Sequence, residues 1–271
     1  MAKKINIIGL GEIGVSTLHS MLMIPGTRDK FEFYLTDIDK SKQSLVENYN
    51  VEKFSTEPFK KCDVYIICVW TTDQALEVLR KIRKLNKRMV EYSVCIETTL
   101  DPSKLKEFQE FPANESLAAF PHRYNPYDPH HGVFNQTRVL GAYGHSAYIF
   151  YSYFMKLENI VTTSFANAVW SKVLENAYRY CEIVLAQEFS CSMGADKFKE
   201  VRELANSKWN IDIKQAQDGV MGKCLPKDMQ LFVTAAPLFT SFFQEILKSN
   251  KDYINAKDYY VKKFGTGKEN Q

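Results

Sequence analysis

Residues 4–22 read KINIIGLGEIGVSTLHSML. The stretch divides into an apolar run of buried-strand character, a glycine turn and a helix, with Gly9, Gly11 and Gly14 in the GxGxxG spacing. Such spacing also occurs in tight turns of other α/β proteins, so its surroundings matter. The strand before it and the helix after it supply one part of the context. The other is FEFYLTDID at 31–39, a second strand ending in Asp37, about 20 residues past the turn, where a ribose-binding carboxylate belongs. The glycines let the backbone approach a pyrophosphate, and the helix offers it free N–H groups. Dinucleotide binding is the expectation.

Outward from this unit the alternation continues. CDVYIICVW (62–70) is a buried strand and TTDQALEVLRKI (71–82) a helix capped near Thr72 or Asp73. RMVEYSVCIETT (88–99) is a strand and DPSKLKEF (101–108) a short helix. The fold class is therefore α/β: a Rossmann-like doubly wound parallel sheet, followed by a mostly α-helical domain with a long central helix. The expected domains are 1–164 and 165–271.

From Phe165 to Met193 there is no glycine or proline, and one helix over that span would run roughly 44 Å. Val169, Trp170, Val173, Leu174, Tyr178, Cys181, Val184 and Leu185 place apolar groups on nearly every side of it, so burial between lobes or between subunits, and a homodimer, are expected. Further helices are expected at 195–206, 227–250 and near 252–262, with 207–224 irregular and the tail GTGKENQ frayed.

A chain of 271 residues, 45% of them hydrophobic, can build two cores. No run of about 18 apolar residues is present, nor a signal-peptide pattern near the start, which points to a soluble cytoplasmic protein without a membrane partner. Six cysteines without CxxC pairs predict neither disulfides nor structural zinc. The net charge of +3 has one basic concentration, RKIRKLNKR at 80–88, read as a solvated helix end and not as a nucleic-acid patch. His122, His130 and His131 fit no metal-ligand spacing, so no metal is expected.

Two places carry chemistry. Lys172 and Asn176, one helical turn apart, project from a common face. Cys224 lies in GVMGKCLPKDM (219–229), where Lys223 and Lys227 favour a thiolate; the alternative is one more buried thiol. SKVLENAYRY (171–180), GADKFKEVRELAN (194–206) and GKCLPKD (222–228) resemble, in order and spacing, the UDP-glucose/GDP-mannose dehydrogenase family. CVWTT, the ETT of Glu97 to Thr99, and FPHRYNP (120–126) extend that resemblance over nearly the whole chain. It stops where the family's third domain begins, implying a shortened form lacking the C-terminal UDP-binding domain, with weak affinity for sugar nucleotides or a preference for something smaller.

The resemblance implies an NAD-dependent oxidation of a sugar-nucleotide alcohol to the acid in two hydride transfers. Cys224 would capture the aldehyde as a thiohemiacetal and carry it on as a thioester. Lys172 would stabilise the alkoxide, Asn176 and Asp228 position water or substrate, Thr99 lie near the reacting centre, and Lys227 support the site electrostatically. The cofactor would contact Gly9, Gly11, Glu12, Ile13, Gly14, Asp37, Lys42, Val69, Thr71 and Thr99, with Asp37 selecting NAD over NADP. Arg123 and Asn125, with Lys172, Asn176 and Lys227, would bind substrate.

The chain departs from the family pattern at Met221, where a glycine is expected, at Tyr127, also in place of glycine, and at His122, which replaces the glutamate of a Pro-Glu dipeptide. His122 is then expected to serve as general base for thioester hydrolysis, and an imidazole with a pKa of about 6.5 would make turnover fall below that pH. Two other readings are a two-electron dehydrogenase of the 6-phosphogluconate-dehydrogenase-like group acting on a smaller substrate, with Cys224 a bystander, and a non-catalytic NAD-binding interaction protein.

Overall fold

The structure, a computed structural model, describes residues 2–264 except 50, 52, 90, 126, 127, 129, 237 and 239. Tyr127 and the GTGKENQ tail lie outside the described residues. Two compact units form, Met1–Lys172 and Val173–Gln271.

In chain order the first unit contains β1 (Lys3–Ile8), α1 (Glu12–Leu22), α2 (Thr27–Lys30), β2 (Phe31–Thr36), β3 (Lys53–Ser55), β4 (Val64–Ile67), α3 (Thr72–Leu85), β5 (Tyr92–Ile96), β6 (Glu115–Ala119), β7 (Arg138–Tyr143), α4 (Ser146–Tyr151) and β8 (Ile160–Thr163). The eight strands form one sheet in the order β3-β2-β1-β4-β5-β6-β7-β8. All neighbours are parallel except β6 and β7, which run antiparallel. All residues of β4 and β5 are buried, as expected of central parallel strands covered on both faces. The chain leaves β1 toward β2 on one side and meets β4 on the other, so the glycine turn sits at the topological switch point.

The long helix α5 (Phe165–Met193) starts in the first unit and continues into the second, which adds α6 (Ala195–Asn206), α7 (Cys224–Ala235) and α8 (Ser241–Phe264). The helices expected at 227–250 and 252–262 are corrected to α7 and α8. α7 ends at Ala236, with φ −114° and ψ 75°, the residue that precedes a proline in the sequence, where helical backbone is disfavoured. The cap of α3 is Thr71, whose hydroxyl accepts the Gln74 N–H while the Gln74 side chain accepts the Thr71 N–H. Reciprocal capping wins over Thr72 or Asp73 because it satisfies two otherwise orphaned donors. The segment 101–108 is a 3₁₀ helix, Pro102–Phe108. The basic run after Leu79 is not purely solvated: Arg83 makes an ion pair of 2.8 Å with the buried Glu115.

No helix among the described residues is long and apolar enough to cross a membrane. Leu174, Tyr178 and Leu185, expected to be buried, are exposed, whereas Val169, Val173 and Val184 are covered.

The end of β5 holds a buried charge. Glu97 Oε1 lies 3.3 Å from the Arg138 guanidinium on β7 and accepts the Tyr151 hydroxyl of α4 at 3.0 Å; Oε2 accepts the Thr17 hydroxyl of α1 at 2.7 Å. Both members of the ion pair have fully buried side chains. Arg138 also donates to the Phe120 carbonyl and stacks 3.8 Å over the Phe120 ring. Removing one partner leaves an uncompensated charge in the core, so Arg138→Met should lower unfolding free energy by about 3–5 kcal/mol. Adding Glu97→Gln to it should recover part of the loss, as read from urea unfolding midpoints.

Candidate active site

In the first unit, the sequence between β1 and α1 turns too tightly for side chains. Gly9 has φ +92°, and a Cβ there would stand 2.7 Å from the Cys68 carbonyl oxygen at the end of β4; one at Gly14 would stand 1.9 Å from the Gly9 carbonyl oxygen. Gly11 is the N-cap of α1, without a side-chain cap and with open space beside it. Uncapped N–H groups at the start of an 11-residue helix, with room for a ligand to approach, suit the pyrophosphate of a dinucleotide. Glu12 is exposed and Ile13 half-buried in the first turn of α1.

Asp37, just past β2, accepts the Leu10 N–H through Oδ2 at 2.7 Å and the Asp39 N–H through Oδ1 at 2.9 Å. It therefore ties the strand end to the glycine turn and presents a fixed carboxylate where a ribose diol would arrive. Lys42 lies half-buried in the 3₁₀ helix Lys40–Leu45. Val69 and Thr71 flank the turn after β4, the hydroxyl of Thr71 committed to the α3 cap. Thr99 is half-buried beyond β5. Its neighbour Thr98 donates to the Val69 carbonyl at 2.8 Å and so joins the ends of β4 and β5. Arg123 donates to the Thr137 carbonyl at 2.9 Å, and Asn125 is exposed.

His122 differs from expectation. It is buried, its Nδ1 accepts the Tyr124 N–H at 3.1 Å, and its Nε2 faces the Thr17 hydroxyl at 3.4 Å and Glu97 Oε2 at 3.7 Å. Because Nδ1 is an acceptor, the proton of the neutral ring sits on Nε2. Burial first, then the nearby cations Arg138 and Lys172, hold its pKa well below 6.5. The contact with Glu97 is thus one to a neutral imidazole, and the acid limb expected near pH 6.5 is corrected: an imidazole in this surrounding stays neutral there.

The second unit assembles a different group. Asn176, buried on α5, donates to Asp228 Oδ2 at 2.6 Å, and Lys227 Nζ lies 3.4 Å from Asp228 Oδ1. Asp228 is almost completely buried on α7. Cys224 is the first residue of α7 and is exposed. Pro226 suits this first helical turn, where no N–H partner is available. A thiol at the start of a 12-residue helix meets the positive end of the helix dipole, and Lys223, at the N-cap, adds positive charge beside it. Lys172 lies one turn before Asn176 on α5. His130 and His131 sit with Asp128 in a surface loop, and no group of three potential metal ligands forms among the described residues.

A doubly wound, mostly parallel sheet with an open glycine turn, followed by helices, is a Rossmann-like fold. Residues 166–252 match the central domain of the UDP-glucose/GDP-mannose dehydrogenase family. It is 27% identical over 263 residues to the UDP-N-acetyl-D-mannosamine dehydrogenase of Methanocaldococcus jannaschii, covering 84% of this chain and 61% of that relative. The chain thus spans about three fifths of the relative's length. Its fold is similar to that of the UDP-D-ManNAc dehydrogenase from Pyrococcus horikoshii, with TM-score 0.76, 21% identity, and coverage of 96% of this chain and 72% of that one. The 3-hydroxyisobutyrate dehydrogenase of Salmonella typhimurium also shares it, with TM-score 0.64, 16% identity, and coverage of 94% and 95%.

The buried imidazole has a measurable signature. Below pH 6.5 the unfolded chain binds a proton at His122 that the folded chain refuses, so folding stability falls as pH drops through this range, by about 1.4 kcal/mol per pH unit from this residue. His122→Gln should flatten the stability profile between pH 6.5 and 5 in urea titrations; an unchanged slope would show that His122 protonates in the folded protein.

Proposed function

We propose that the chain takes part in NAD-dependent oxidation of a nucleotide-sugar alcohol to the acid, through a covalent adduct on Cys224. The observation that carries this reading is the exposed Cys224 at the start of α7, one turn from a buried Asp228 held by Asn176 and Lys227, inside the matched central domain. NAD supplies the hydride acceptor for each oxidation. Gly9, Gly11 and Gly14 admit its pyrophosphate to the start of α1, with Glu12, Ile13, Val69, Thr71 and Thr99 around it. Asp37 accepts hydrogen bonds from its ribose hydroxyls and repels a 2′-phosphate.

Lys172 steadies the alkoxide left when the alcohol gives up its proton. The Cys224 thiolate then adds to the aldehyde carbon, and the resulting thiohemiacetal carries the hydroxyl needed for a second hydride loss. Hydrolysis of the thioester returns the thiol and releases the acid, with Asn176 and Asp228 orienting the water. Lys227 balances the charge of Asp228, and Arg123 and Asn125 contribute to substrate binding. UDP-N-acetylmannosamine is the first substrate to test, because two relatives bear the name of its dehydrogenase.

With that sugar nucleotide and NAD, the parent protein should form two NADH per acid, with NADP a poor substitute. Cys224→Ser should lose acid formation by at least about a hundredfold, and a thioester-linked mass on the Cys224 peptide should accumulate when turnover is quenched. A second reading, a single oxidation of a smaller hydroxy acid, is favoured by coverage of nearly the whole 3-hydroxyisobutyrate dehydrogenase chain. Full activity of Cys224→Ser on such an acid, with one NADH per product, would select it.

The proposed assembly is a homodimer through α5. Leu174, Tyr178, Leu185 and Phe189 are exposed at spacings that align them on one face of the helix, and a second copy offers the same stripe in return. Sedimentation should report a dimer, and Leu185→Glu a monomer.

A further inference from the structure

We infer that Asn250 is a positioning residue for the Cys224 thiol, acting through a two-point clamp on the backbone of Val220. The inference rests on the reading of Cys224 as the nucleophile and names what holds its loop. Asn250, buried on α8, accepts the Val220 N–H through Oδ1 at 2.7 Å and donates through Nδ2 to the Val220 carbonyl at 3.1 Å. Both polar groups of one backbone residue are therefore satisfied by one side chain, so Val220 is fixed in position and in rotation.

Two contacts brace the clamp. Gly219 has φ +77°, and a Cβ there would stand 3.1 Å from Asn250 Oδ1, 3.1 Å from the Tyr253 ring and 3.2 Å from Ile254. The turn therefore lies directly on α8, close enough that a side chain there would push its neighbours back by a few tenths of an ångström. Lys257, two turns further along α8, makes an ion pair of 2.9 Å with Asp218.

Only Met221, Gly222 and Lys223 separate the clamp from Cys224. Met221 and Lys223 are exposed, and Gly222, at φ +88°, has nothing within 4 Å of a built Cβ. These three residues have little of their own to hold them. On the far side of the cysteine, α7 is anchored by the Asn176–Asp228 hydrogen bond. Cys224 is thus held between two anchors, and the clamp at Val220 is the last fixed point before the helix begins. A thiol gains from the helix N-terminus only while it stays in the first turn, so a loosened loop forfeits that stabilisation of the thiolate.

The test reads thiol reactivity, which needs no turnover. Cys224 is already exposed, so its alkylation rate by iodoacetamide follows the thiolate fraction and not access. Asn250→Ala should slow alkylation of the Cys224 peptide about tenfold at neutral pH, the equivalent of one unit in thiol pKa. Alkylation of the other exposed cysteine, Cys191, should be unchanged. Asn250→Asp retains the acceptor for the Val220 N–H and should restore part of the rate. If Asn250→Ala does not fold, Gly219→Ala, which crowds the same clamp, should show the slowing instead.

A folded variant with lowered urea midpoint but parental Cys224 alkylation would make Asn250 a packing residue and overturn the inference. Failure of the reaction reading looks different: Cys224→Ser would still form acid, whatever the alkylation rates.

Discussion

The carboxylate of Glu97 is the constraint on which the first unit depends. It ends a strand whose side chains are all buried, and it gathers a hydroxyl from α1, a hydroxyl from α4 and a guanidinium from β7. These elements come from both sides of the antiparallel β6–β7 join. A bare charge in that position would cost several kcal/mol in lost hydration, so the surrounding elements must sit where their donors reach it. Thr17 stands on the helix that follows the glycine turn, and the same carboxylate therefore helps hold that turn to the sheet. His122 is drawn into this network as a neutral ring, its basicity suppressed by burial and by two cations.

The second unit solves an analogous problem with fewer donors. Asp228 is almost completely buried, and its carboxylate is met by the Asn176 amide and the Lys227 ammonium. That contact sets the first turn of α7 against α5. The polar link from α8 holds Val220, four residues before α7 begins. Apolar packing alone, through Ala177, Tyr180, Val184, Met229 and Val233, is non-directional and would tolerate sliding; the hydrogen bonds define one register.

Cysteine chemistry follows from placement more than from composition. Burial pushes the Cys62 and Cys95 thiols up to about 12 and raises Cys68 well above its ordinary value, with Glu97 adding repulsion at Cys68 and Cys95. These three pack as small apolar groups beside or within strands. Cys224 is exposed on a helix start with Lys223 at the cap. Solvent exposure and a helix start thus set Cys224 apart from these three buried thiols.

Much of the α/β sheet could be read from the chain because the signals are local: a glycine turn between a strand and a helix, buried runs in β4 and β5, and a strand closed by Asp37. Cys224, Lys172, Asn176 and Asp228 stand out through short motifs that resemble the UDP-glucose/GDP-mannose dehydrogenase family, and such motifs are also local. The pairing of Glu97 with Arg138 was not legible, since its members lie on separate strands and each alone looks like an ordinary charged residue. Nor could periodicity tell which side of α5 is covered: apolar groups surround it, and only tertiary packing buries Val173 and Val184 while leaving Leu174 and Leu185 outside. His122 shows the same limit in its chemistry. Its identity and motif position are properties of the sequence, but its protonation is decided by the desolvation and cations that the folded chain brings around it.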